Sequence, residues 1–132
     1  YIKLVPASES VVGRIGQTLR AEDGLPLSQF VVLEALWRLG PLCQRDLGLK
    51  ILKSSGNMTM VVDNLEKRAL VDRRKNADDR RVTEVHLTAK GPALIEDIFP
   101  RHAGQITEEL GRLTAAEQKQ LGALCRKLGL AD

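Results

Sequence analysis

Two short stretches that read as β-strands, 71–74 and 82–87, constrain the fold of this 132-residue chain more than any other feature. In the second stretch Thr83, Val85 and Leu87 alternate with the more polar Glu84 and His86, which is the period of a β-strand with one buried face. The intervening residues, 75–81, are mostly polar and include acidic and basic side chains. The pattern therefore predicts a β-hairpin with an exposed polar tip.

Helical periodicity occupies the rest of the chain, so the predicted fold class is mainly α with a small β-hairpin. We expect helices at 7–21, from Pro26 to Gly40, at about 43–52, at 57–70, from a cap at Thr88 to about Leu110, and from a capping box at 114–117 to Gly129. Trp37 and Ala69 fall on the predicted buried faces of their helices. Pro100 is expected to kink the long helix.

The charge of the chain is concentrated at the hairpin. Residues 73–81 contain five basic and two acidic side chains, a net charge of +3, which equals the formal charge of the whole chain. A local positive segment on a neutral body is typical of an element that contacts phosphates. A mass of 14.6 kDa and 43% hydrophobic residues fit one folded domain.

Two helices joined by a short turn and followed directly by a basic hairpin predict a winged helix-turn-helix lobe. The second helix would place its polar N-terminal end in the DNA major groove, which admits one helix. Short hydrogen-bonding side chains occupy that end, and a methionine beside them could contact a thymine methyl group. The candidate base-contacting residues are Ser54, Ser55, Asn57, Thr59 and Met60. Gln44 and Arg45 begin the preceding helix and could contact the DNA backbone.

The hairpin sequence 79–88, DRRVTEVHLT, resembles the wing signature of the MarR family, D-x-R followed after five residues by L-T. The resemblance covers about residues 11–128, including the helix start LSQF at 27–30 and the stretch 57–68. It implies a single MarR-type domain over 1–132, with dimerisation helices at 1–24 and 88–132 and a DNA-binding lobe at 25–87. It also implies a homodimer that binds a palindromic duplex.

The resemblance assigns roles to individual wing residues. Arg81 would enter the minor groove and Asp79 would orient it, while Arg74, Lys75 and Arg80 would contact phosphates. The family's small-molecule site, often for phenolic or other aromatic compounds, would lie in the crevice between the dimerisation helices and the DNA lobe. The predicted function is a transcriptional regulator, a repressor released by such a ligand or by thiol oxidation.

Several residues have ordinary structural interpretations beside these functional ones. Trp37 and Phe99 could line an effector crevice, although apolar residues at helical spacing usually belong to the core. Cys43 falls at a helix N-terminus, which favours a reactive thiolate, whereas Cys125 lies on an apolar helix face. A small buried hydrophobic role is the alternative for Cys43.

Other function classes are disfavoured by what the sequence lacks. It has no nucleophile–base–acid set, no glycine-rich phosphate loop and no ligand-spaced histidines, so we expect no enzyme, cofactor or metal site. The competing hypothesis is a winged helix that binds only proteins. No apolar stretch approaches the length of a membrane span, which predicts a cytoplasmic protein. Because the chain begins with Tyr1 rather than Met, we expect residues to precede it.

Overall fold

A computed structural model describes residues 1–51 and 55–129. It contains six helices and three strands in those residues. In chain order they are α1 (Leu4–Asp23), α2 (Leu27–Leu39), β1 (Leu42–Cys43), α3 (Gln44–Ile51), α4 (Ser55–Lys67), β2 (Val71–Lys75), β3 (Thr83–Leu87), α5 (Lys90–Leu110) and α6 (Ala115–Gly129). None of the helices in the described ranges is long and apolar enough to cross a membrane.

The core lies where α2, α4 and the sheet meet the first half of α5. Each helix contributes apolar residues three or four positions apart, as one buried face requires. The largest fully buried side chains include Phe30 and Leu33 from α2, Met58 and Leu65 from α4, Val71 from β2, and Ile95 and Ile98 from α5. Trp37 does not join them, contrary to the prediction. It retains 38% exposure at the end of α2, where it packs on Phe99 at 5.8 Å between ring centroids.

The sheet has three antiparallel strands in the order β1-β3-β2, one strand more than the predicted hairpin. Residues Leu42 and Cys43 were expected in a turn and a helix start, but they pair with Val85 and Glu84 of β3. The physical reason lies just before them. Gly40, with φ 80°, ends α2, and the following proline favours extended backbone over helix.

The predicted helix 57–70 ends three residues early, at Lys67. Ala69 adopts a left-handed conformation with φ 55°, and the Leu70 amide donates to the Leu65 carbonyl at 3.0 Å, which closes the helix end. Ala69 is therefore exposed rather than buried. The helical period continued through this position in the sequence, and nothing in an alanine signals a left-handed residue.

The junction between the sheet and α5 is compact. Thr88 caps α5 as predicted, because Ala89 already has helical dihedrals and the Thr88 hydroxyl oxygen accepts from the Lys90 backbone amide at 3.3 Å. The Thr88 hydroxyl also donates to the Ala69 carbonyl at 2.7 Å, and the Thr88 backbone amide donates to the Leu70 carbonyl at 3.0 Å. A Cβ on Gly91 would lie 2.8 Å from Leu87 and 3.2 Å from the Leu70 carbonyl, so this close approach requires glycine.

Two ion pairs join α1 to α5. Arg14 of α1 pairs with Glu109 of α5 at 2.8 Å, and Arg101 pairs with Asp23 at the end of α1. Pro100 lies within α5, which runs without interruption to Leu110. The capping box of α6 is confirmed, since Glu117 accepts from the Thr114 amide at 2.7 Å and Thr114 accepts from the Glu117 amide at 3.3 Å. No side chain of α6 is buried within the described residues.

Candidate nucleic-acid interface

The turn between β2 and β3, residues 76–82, is organised by Asn76. Its side-chain oxygen accepts hydrogen bonds from the backbone amides of Asp78 and Asp79 at 2.8 and 2.9 Å. Its amide nitrogen donates to Glu84 at 2.6 Å, which ties the turn to β3. Asparagine suits this position because its short side chain can bond to the backbone two residues along. The tip therefore has a defined shape before any partner binds.

Arg81 projects from this tip and is held by Asp79. The Arg81 Nε and Nη2 atoms donate to the two Asp79 carboxylate oxygens at 3.0 and 2.9 Å, and the Arg81 backbone amide donates to the same carboxylate at 3.1 Å. These bonds lower the pKa of the Asp79 carboxyl and raise the pKa of the Arg81 guanidinium, so both stay charged near neutral pH. The Arg81 side chain is nevertheless 91% exposed. The fork thus orients a cation that remains accessible.

The other basic residues of the wing differ in their surroundings. Arg74 pairs with Asp72 of its own strand at 2.6 Å, and the Lys75 ammonium donates to Thr83 at 3.0 Å. Both side chains are exposed, as is Arg80. Arg73 was counted in the positive segment, yet its guanidinium faces the carboxylates of Asp63 and Glu66 on α4. Its charge is compensated within the protein, so the free positive surface of the wing is smaller than the sequence indicated.

The candidate recognition helix presents its polar side to solvent. Asn57 and Thr59 are exposed, Met60 is 58% exposed, and Met58 between them is fully buried. The helix α4 begins at Ser55, two residues before the predicted start at Asn57, so Ser55 belongs to the helix and not to the turn before it. Ser54 lies outside the described residues. The alternation of exposed and buried residues leaves a surface of short polar side chains and one methionine, which is chemically suited to base edges in a major groove.

The first two side chains of α3 have different surroundings. Arg45 is exposed. Gln44, also predicted to contact the DNA backbone, has its side-chain amide engaged within the protein. The amide donates to Thr59 at 3.0 Å and accepts two bonds from Arg73 at 2.9 and 3.0 Å.

Arg73 is the residue of this region whose role sequence reasoning missed. Strand alternation was the available signal: Arg73 pairs with the buried Val85 and so lies on the inner face of the sheet, whereas Arg74 lies on the outer face. Its position in a run of basic residues concealed that difference.

The two cysteines differ in their exposure and position. Cys43 is half-buried in β1 directly opposite Glu84, and Cys125 is exposed on α6. Arg38 stacks over the Phe99 ring at 5.4 Å, so Phe99 contacts both Trp37 and a cation. No group of three or more metal-binding side chains occurs within the described residues.

A cleft of about 510 Å³ separates α1 from the start of α2. Its walls combine apolar side chains with the basic Arg20. It is lined by Val12, Gly13, Gly16, Gln17, Arg20, Pro26, Leu27 and Ser28. The cleft therefore lies between a terminal helix and the winged lobe, where a small molecule could contact both.

Comparison with known proteins places these features in a family. The model of the MarR family matches residues 25–83, which span α2 to the first residue of β3. The HTH-type transcriptional regulator MhqR of Bacillus subtilis is 40% identical over 130 residues, covering 98% of this chain and 89% of MhqR. The chain belongs to the MarR family. Its relatives of this kind are transcriptional regulators, not enzymes.

Solved structures agree with this assignment. The chain superposes with a TM-score of 0.87 on BpsR of Bordetella bronchiseptica, a protein whose DNA binding is regulated by 6-hydroxynicotinic acid, at 33% identity over 98% of this chain and 91% of BpsR. Sco3205 of Streptomyces coelicolor, a MarR-family regulator, shares the fold with a TM-score of 0.89 at 22% identity, over 96% of this chain and 81% of Sco3205. The predicted winged helix-turn-helix architecture is confirmed.

Proposed function

We propose that this MarR-family chain acts as a homodimeric, sequence-specific regulator that binds palindromic double-stranded DNA. The observation that carries the proposal is the Asp79–Arg81 fork, which presents an exposed, oriented guanidinium at the tip of the wing. An arginine in this setting suits a narrow minor groove, where the negative potential is deepest. The polar face of α4 lies on the same lobe and is suited to the neighbouring major groove.

The proposed contacts are of two kinds: phosphate contacts that position the protein on the duplex, and base contacts that specify the sequence. Arg45, Arg74, Lys75 and Arg80 are exposed cations around the lobe and would contact phosphates, which give affinity without sequence information. Asn57, Thr59 and Met60 would contact base edges from α4, with Ser54 and Ser55 at its start. Gln44 would support this surface through its bond to Thr59.

The apolar face of α6 supports the dimer. Leu121, Leu124 and Leu128 are 40%, 50% and 75% exposed, and Cys125 lies on the same face. An uncovered apolar helix face of this kind usually marks a protein interface. A two-fold dimer formed through α1, α5 and α6 would carry two winged lobes and so match a palindrome.

Release from DNA by a small aromatic ligand is the mode of control that the fold favours, with the chain acting as a repressor. The cleft between α1 and α2 joins the two regions whose relative position would change, and Arg20 could pair with a phenolate or carboxylate. BpsR, whose DNA binding responds to an aromatic acid, is 33% identical to this chain. Oxidation of Cys43 is the alternative mode, and thiol labelling of the native protein would dismiss it if Cys125 reacted first.

Selection of bound fragments from a genomic library tests the function directly. The purified protein should enrich one palindromic sequence and bind a duplex of that sequence with an affinity that falls steeply as salt increases. Sedimentation should show a dimer in the absence of DNA. Failure to bind any duplex in a salt-dependent manner would instead favour a winged helix that binds only proteins.

A further inference from the structure

Arg73 connects three elements of the DNA-binding lobe. From β2, its Nη2 atom donates to Asp63 of α4 at 2.6 Å, and its Nη1 atom donates to Glu66 one helical turn further on. Its Nε and Nη2 atoms also donate to the Gln44 side-chain oxygen on α3. Glu66 accepts in addition from the Arg73 backbone amide at 3.2 Å. One guanidinium therefore joins the wing to both helices of the helix-turn-helix.

The local charge argues against a direct contact with DNA. One guanidinium faces two carboxylates, so this cluster carries a net charge of −1 and would repel a phosphate. The Arg73 side chain is only 24% exposed, compared with 56% for the neighbouring Arg74. A planar guanidinium with several fixed donors suits such a bridge better than an ammonium, since it can bond to several acceptors in one plane.

The bridge continues to the surface of the recognition helix. Because Arg73 occupies the oxygen of the Gln44 amide, the amide nitrogen is directed away from it and donates to Thr59 at 3.0 Å. Thr59 lies on the exposed polar face of α4. Arg73 is thereby linked, through Gln44, to a side chain that the proposed function places against a base edge.

We propose that Arg73 is a positioning residue that sets the angle between wing and recognition helix and, through Gln44, the orientation of Thr59. It controls sequence discrimination without touching DNA. This inference rests on the proposed function, which supplies the base contacts that Arg73 would position.

Arg73→Lys is the decisive variant because it keeps the charge and removes the planar donor set. We expect the ratio of affinities for the selected duplex and a scrambled duplex to fall about tenfold, the discrimination that one good bidentate base contact supplies. The slope of affinity against salt should not change, since no phosphate contact is lost. Arg38→Lys is the matched control, because Arg38 also pairs with a carboxylate, Glu34 at 3.0 Å, but lies on α2 outside the proposed DNA contacts; it should keep the ratio.

Opposite results overturn the proposal. A ratio retained in Arg73→Lys would show that positive charge at this position is sufficient. A lowered melting temperature with an unchanged ratio would show a role in stability alone. Combining Arg73→Lys with Thr59→Ala provides a further check, because residues acting through one chain of bonds should have non-additive effects on the ratio. Additive effects would contradict the route through Gln44.

A measurement without DNA separates this inference from the proposed function. In the free protein, amide hydrogen exchange along α4 should be faster in Arg73→Lys than in the parent protein and unchanged in Arg38→Lys. Unchanged exchange in Arg73→Lys would refute the bridge whatever the DNA results. If the parent protein does not discriminate between duplexes, the proposed function fails, and the exchange experiment alone decides whether Arg73 holds the helix.

Discussion

Replacement of Arg81 by alanine tests the minor-groove interpretation of the wing. The variant loses a guanidinium that is 91% exposed and oriented by two hydrogen bonds to Asp79. Because this side chain lies on the surface, the substitution should not disturb the packing of the core. Loss of a specific arginine contact should weaken binding roughly tenfold per half-site. The two half-sites of a palindrome are far apart, so their effects should add in free energy and give a loss of about a hundredfold.

The sequence dependence of the loss identifies the groove. A minor-groove arginine responds to A·T-rich flanks, so Arg81→Ala should bind duplexes with A·T and G·C flanks almost equally. A phosphate contact would instead weaken binding to all sequences and reduce the salt slope by about one per half-site. Fluorescence anisotropy titrations at two salt concentrations, on the selected, flank-substituted and scrambled duplexes, distinguish the two patterns. Arg80→Ala, with the same charge change at the adjacent exposed residue, should show the phosphate pattern.

Asp79→Ala provides the stricter test because the two explanations predict opposite signs. Removing a negative charge from the wing should strengthen binding if electrostatic attraction is all that matters. If the carboxylate orients Arg81, its loss should reproduce part of the Arg81→Ala defect despite the more positive wing. Tighter binding of the selected duplex by Asp79→Ala would refute the orienting role and with it the central argument for the function.

Three further outcomes test the fold and the assembly. Ala69→Gly should raise the free energy of unfolding by about 0.5–1 kcal/mol in denaturant titrations, because glycine adopts the left-handed conformation without strain. Ala93→Gly within α5 should lower it, and a destabilising Ala69→Gly would contradict the left-handed conformation at this position. The double substitution Leu121→Glu and Leu124→Glu should sediment as a monomer that binds the selected duplex weakly, while Lys119→Glu stays dimeric; a double variant that remains dimeric would place the interface elsewhere. Burial lowers the pKa of His102 on α5, so the unfolded chain takes up a proton more readily than the folded one, and stability should fall as pH decreases below about 6.5. His102→Leu should weaken that pH dependence in thermal unfolding, and an unaltered profile would exclude His102 as its source.

The sequence predicted the elements whose signals are local and periodic. The hairpin followed from the alternation in residues 83–87 and the polar segment before them, and the capping box of α6 followed from Thr114 and Glu117 at the required spacing. The wing signature also led to the Asp79–Arg81 pair, whose geometry the structure supplies. In each case a few neighbouring residues carry the whole signal.

Features that depend on tertiary contacts were not predictable in this way. The strand at Leu42 and Cys43 is too short to show a period and forms only because β3 offers a free edge. In the sequence Arg73 resembles its basic neighbours, because its carboxylate partners Glu66 and Asp63 lie seven and ten residues away and approach it only in the folded protein. Trp37 matched a buried helical position, but the helix ends beside it and its ring remains partly exposed against Phe99.

The tight junction around Thr88 and Gly91 has a mechanical consequence for the assembly. Because the Ala69 and Leu70 carbonyls are bonded to Thr88, the end of the recognition helix and the start of α5 move as one body. At 1.5 Å per residue, the 21 residues of α5 form a lever arm of roughly 30 Å. A tilt of about 10° at its far end would swing the lobe by roughly 5 Å, more than the ~3.4 Å spacing of successive bases along one strand. A ligand that only slightly changes the packing of the terminal helices would therefore place one lobe out of step with its half-site.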